Sequence, residues 1–135
     1  MSRALAVSSL EKQIASSAWK AATSLPIYPE TYRGTIEQKD HLRFYVIVPN
    51  STRVGYGPGN SKLTGEVIIQ YYSLKTVPEP TRLGVVDKML AFWQDRLFEN
   101  NLQTFQGYIT RLGSDPADKA FSRLDLHVPF TYYGV

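Results

Sequence analysis

The run Leu42-Arg-Phe-Tyr-Val-Ile-Val48 constrains the fold most. Read as a strand, it puts Phe44, Val46 and Val48 on one face and Tyr45 and Ile47 on the other. Both faces carry large apolar groups. Such a strand is either covered on both sides or packed against another subunit. A second run of the same kind follows from Leu63 to Leu74, where Val67, Ile69 and Tyr71 alternate with Ile68, Gln70 and Tyr72. The two strands form an antiparallel hairpin, joined by a long loop over 49–62 that contains three glycines and two prolines.

Helical periodicity brackets the hairpin. Val7, Leu10, Ile14, Ala18, Ala21 and Leu25 make one stripe of an amphipathic helix, which Pro26 ends. Ser8 with Glu11 reads as a capping box at its start, and Ser2 is a competing start. Residues 26–40 read as irregular, broken by Pro26, Pro29 and Gly34. Leu83, Val86, Leu90, Trp93 and Leu97 form the stripe of a second helix, which Asn100 and Asn101 end. Two further strands fit 102–112 and 121–133. In the last, Leu124, Leu126, Val128, Phe130 and Tyr132 face inward and Arg123, Asp125, His127 and Thr131 outward. Pro129 inside that strand points to an edge or a bulge.

The expected fold is α+β, in the order α-β-β-α-β-β. A four-stranded, mainly antiparallel sheet is flanked by two helices, in a single domain over 1–135. One sheet face keeps Tyr45, Ile47, Ile68 and Tyr72 without a cover, which marks a protein interface.

The 135 residues contain no cysteine. Disulfide scaffolds, thiolate metal sites and thiol catalysis are therefore excluded. Fifteen basic and twelve acidic residues give a formal charge of +3, with no run of like charge. A dedicated nucleic-acid binder shows a patch or stripe instead. No apolar stretch is long enough to span a bilayer or to form a signal peptide, so synthesis in the cytoplasm and no membrane partner are expected.

Motifs of chemistry are sparse. His41 and His127 read as structural or surface histidines, and the loop and helix carboxylates Asp115, Asp118, Asp87 and Asp95 as solvated. No metal-binding spacing and no cofactor motif is present. Gly55-x-Gly57-x-Gly59 joins two strands, not a strand to a helix, so it is no phosphate cradle. It is either a flexible hairpin tip or a loop that reaches a partner or lines a pore. In the second reading Arg53, Tyr56 and Lys62 are the contact groups. Nine tyrosines, two of them paired at 71–72 and two at 132–133, suit contact surfaces.

In order, Pro26-Ile-Tyr-Pro29, Leu42 to Val48, Gly65-Glu-Val-Ile-Ile-Gln-Tyr71, the proline-rich joint, the helix over 86–98 and Phe130-Thr-Tyr-Tyr133 resemble tail terminator (tail completion) proteins of long-tailed bacteriophages. The likeness lies in element order and loose patterns over about 5–133. It implies a structural virion protein without catalysis or cofactor. That protein would form a homo-hexameric ring at the head-proximal end of the tail tube. The ring stops tube polymerisation and meets the head-tail connector or neck protein, while DNA only passes through the lumen. Carried onto these residues, the resemblance puts Tyr45, Ile47, Ile68, Gln70 and Tyr72 at subunit contacts. It directs Arg53, Tyr56 and Lys62 toward the tube or lumen. The alternatives are a neck or tail tube protein of the same virion, a small-ligand-binding domain with its pocket between sheet and helices, and a weak RNA-binding module.

Overall fold

The computed structural model describes residues 2–29, 34, 39–53, 61–99, 101–114 and 121–133. Its elements run α1 (Ser2–Ile14), α2 (Ser17–Thr23), β1 (Ile27–Pro29), β2 (His41–Arg53), β3 (Ser61–Leu74), α3 (Glu79–Trp93), β4 (Leu97–Phe98), β5 (Leu102–Thr104), β6 (Tyr108–Ser114) and β7 (Phe121–Tyr133). One curled sheet takes the order β1-β2-β3-β7-β5-β4, with β6 also paired to β7. It is mixed, because β1 lies parallel to β2 while the other pairs are antiparallel. The expected four-stranded antiparallel sheet flanked by two helices is therefore wrong. The described residues form seven strands and three helices, and the helices lie on one face.

Each departure has a local cause. The first helix breaks at 15–16, where the Ser16 hydroxyl accepts the Trp19 amide at 3.2 Å and starts a new helix. Its first turn begins at Ser2, so the Ser8–Glu11 pair lies inside the helix. Residues 26–40 are not wholly irregular, since Ile27–Pro29 pair with Leu42–Phe44. The strand expected over 102–112 is interrupted at 105–107 and becomes β5 and β6. Gly107 fits there because an added Cβ would press on the His127 carbonyl and on Leu90. The second helix ends at Trp93, before Asn100 and Asn101. Leu97, on its expected stripe, starts β4 and is exposed, as is Leu83. The helix instead buries Val86, Met89, Phe92 and Trp93.

The loop expected over 49–62 is also shorter, because the hairpin strands continue through Arg53 and resume at Ser61. Their ladder slips between Ile47 and Asn50. Pro49 supplies no amide there, which accounts for the slip. β7 spans the expected 121–133 and runs between β3 and the β5/β6 edge. Pro129 is tolerated mid-strand because β6 pairs only as far as His127 and β5 starts at Phe130. The missing donor falls in the gap between them.

Strand alternation fixes which side is core. Leu42, Phe44 and Val46 oppose Tyr71, Ile69 and Val67, which oppose Leu124, Leu126 and Val128. This face receives Ala6, Leu10, Ile14, Trp19, Val86, Met89, Phe92 and Trp93 from the helices. Trp19 ties the layer together, edge-on to Phe92 at 5.0 Å and 5.6 Å from Trp93. Full burial of each large side chain contributes roughly 1.5–3 kcal/mol.

Candidate functional site

The other sheet face carries no helix among the described residues, and its alternating positions gather polar and aromatic groups from five strands. One row runs Tyr28, Arg43, Gln70, Asp125 and Thr110. A second runs Tyr45, Ile68, His127 and Tyr108, and a third His41, Tyr72 and Arg123. The five residues expected at subunit contacts, Tyr45, Ile47, Ile68, Gln70 and Tyr72, therefore share this one face. Their accessibility differs. Ile47 is 43% exposed, whereas Ile68 and Tyr72 are buried within the chain. Tyr45 and Gln70 are half-buried.

Two stacked pairs build the face. At one end the His41 ring lies parallel to Tyr72, 4.8 Å away, with Phe121 edge-on to both and Tyr28 edge-on to His41. His41 Nδ1 is 2.9 Å from the Lys39 carbonyl oxygen. That oxygen only accepts, so Nδ1 bears the proton. The Tyr72 hydroxyl donates to Gln70 Oε1 at 3.3 Å. At the other end the Tyr108 ring stacks on His127 at 4.5 Å, and its hydroxyl donates to Glu66 Oε1 at 3.0 Å. That bond to a carboxylate, with some desolvation, holds the Tyr108 phenol above the usual tyrosine range.

Between the ends, Arg123 donates from Nε and Nη2 to Asp125 at 2.8 and 3.0 Å, and its guanidinium lies 6.0 Å from the Tyr72 ring centre. Hydrogen bonding to Asp125 raises the Arg123 pKa above its ordinary value. His127 Nδ1 is 3.3 Å from Glu66 Oε1, and Nε2 is 3.1 Å from Thr110 Oγ1. This gives the order hydroxyl, imidazole, carboxylate. The Tyr108 and Thr110 contacts lie on the exposed surface. The face pairs Arg123 with Asp125 and His127 with Glu66 and stacks two of its rings on histidines, which makes it a mixed apolar and polar platform.

The loop residues fare differently. Lys62 and Arg53 are ladder positions, paired with Thr52 and Ser61 respectively, and Lys62 also pairs with Tyr133. Tyr56 lies outside the described residues. Glu66, Tyr108 and Thr110 are site residues that sequence reasoning missed. They join the platform only through the β3–β7–β6 register, for which local periodicity carries no signal. Among the described residues no group of three or more metal-ligating side chains is gathered, and no helix is long and apolar enough to cross a membrane. A broad hollow of about 520 Å³ between the α1–α2 turn and the β1–β2 edge is lined by Glu11, Ile14, Lys20, Ile27 and Phe44.

The sequence matches no protein-family model and no curated protein.

Proposed function

We propose that this chain is a ring-forming structural subunit of a long-tailed bacteriophage particle, a tail terminator at the head-proximal end of the tail tube. The observation that carries the reading is the sheet face that bears no helix among the described residues. It presents Tyr45, Ile47 and Gln70 on one rigid surface, backed by buried Ile68 and Tyr72. Aromatic and aliphatic groups set among internally satisfied polar ones are the composition of a protein contact. Rigidity favours assembly, because little side-chain freedom remains to be lost on docking. Neighbouring copies pack on this face by a heterologous contact that closes into a ring. Tube protein and head-tail connector meet the ring's two ends, and DNA passes through it.

Light scattering after size exclusion, at several concentrations and with isolated tail tubes added, tests this. A species near six protomers, or capture at one end of the tubes, supports the reading. Ile47→Glu, which puts a charge on an already exposed position, should abolish either result while leaving the fold intact. A stable dimer that ignores tubes overturns it.

A further inference from the structure

A second polar feature lies on the opposite side of the sheet, where the start of α3 overhangs the ends of β3, β7 and β6. A cavity of about 100 Å³ is lined there by Ser73, Glu79, Arg82, Arg111, Ser122 and Leu124, with Gly113 and Arg123 beside them. That volume holds about three waters or one tetrahedral oxyanion. Arg123 turns its guanidinium to Asp125 on the platform face. The charges left to the cavity are Arg82 and Arg111 against the single carboxylate of Glu79.

Both arginines hold Glu79. Arg82 Nη1 donates to Oε2 at 3.4 Å, and Arg111 Nη2 donates to Oε1. Arg82 Nη2 donates to the Lys75 carbonyl at 3.3 Å. Arg82 Nε is buried and has no acceptor among the described residues. The first turn of α3 adds the positive end of a helix dipole, and Pro78 at its N-cap makes no side-chain cap bond there. Serine hydroxyls from two adjacent strands, Ser73 and Ser122, complete a wall of small donors.

We propose that this cavity is an oxyanion site, which takes one phosphate or sulfate group between Arg82 and Arg111. The anion bridges the two guanidinium groups, and Glu79 is the internal competitor that limits its affinity. The site lies on the helix side of the sheet and does not depend on the ring reading.

The test is thermal unfolding of the full chain in sodium phosphate, against sodium chloride at matched ionic strength. Phosphate also stabilises proteins by exclusion from their surface, so the variants carry the decision. Arg111 is largely exposed, and Arg111→Gln should fold normally. It should weaken the saturable phosphate response about tenfold, the loss of one charge-assisted bond. Arg82→Gln should abolish the response, and Glu79→Gln should strengthen it. A phenyl phosphate titration and a phosphodiester-linked oligothymidine titration separate the sources, and a response to either that is lost in Arg111→Gln supports the site. An identical, non-saturating response in the parent chain and in Arg111→Gln means that the cavity holds water, and overturns it.

Discussion

The Tyr71 hydroxyl donates to Asp40 Oδ2 at 3.2 Å, while Asp40 Oδ1 accepts the Leu74 amide at 2.8 Å. One carboxylate just before β2 thus ties down the far end of β3. Tyr71 is buried, and desolvation together with the Asp40 charge pushes its phenol well above the ordinary tyrosine range. The folded pKa is raised, so this group's contribution is complete below the unfolded value of about 10 and is lost as pH rises through the folded one. Denaturant unfolding between pH 8 and 11 should show stability falling more steeply in the parent chain than in Tyr71→Phe. Equal slopes would remove Tyr71 from the alkaline transition.

Thr104 closes the end of α3. It is fully buried, its hydroxyl donates to the Trp93 carbonyl, and its oxygen accepts the Arg96 amide at 3.1 Å. Thr104→Val keeps the shape and strands both groups. It should cost about 1–3 kcal/mol in equilibrium unfolding. Thr104→Ser retains the hydroxyl and should recover most of that loss.

What was legible in the sequence followed from local repeats. The two-residue alternation of Leu42–Val48, Leu63–Leu74 and 121–133 placed three strands, and it put Tyr45, Ile47, Ile68, Gln70 and Tyr72 on one face. Features without a local repeat were invisible. β1 and β4 have three and two residues, too few for any period, and exist through pairing with distant chain. The expected α3 stripe holds at Val86 and Trp93 and fails at Leu83 and Leu97, because the core side is shared with Met89 and Phe92 and the helix ends before Phe98. Phe92 and Phe98 pack on each other at 5.9 Å and on Trp93, while Leu83 stays in solvent. The Glu66–His127–Thr110 chain spans three strands, so only register brings it together.

Gly65 is required by its neighbour across the hairpin bulge. A Cβ there would land on the Ile47 carbonyl and press on the Phe130 ring. Backbone cannot yield as a flexible side chain can, so Gly65→Ala should cost about 3 kcal/mol, the upper end of the overpacking range. Phe130→Leu relieves only the ring contact. If the double variant regained full stability in chemical denaturation, the carbonyl clash would not be the cause.

The Arg123–Asp125 pair should respond unequally to its two truncations. Asp125 keeps 8% of its side chain in contact with solvent and Arg123 keeps 23%. Arg123→Ala leaves a carboxylate buried without its counter-charge, whereas Asp125→Ala leaves a guanidinium that still reaches water. The first should therefore cost more. About 2–3 kcal/mol is expected for Arg123→Ala, below the value for a fully buried pair because solvent screens the exposed part. Equilibrium unfolding of both variants at pH 7 measures this, and equal losses would mean that packing rather than charge holds the pair.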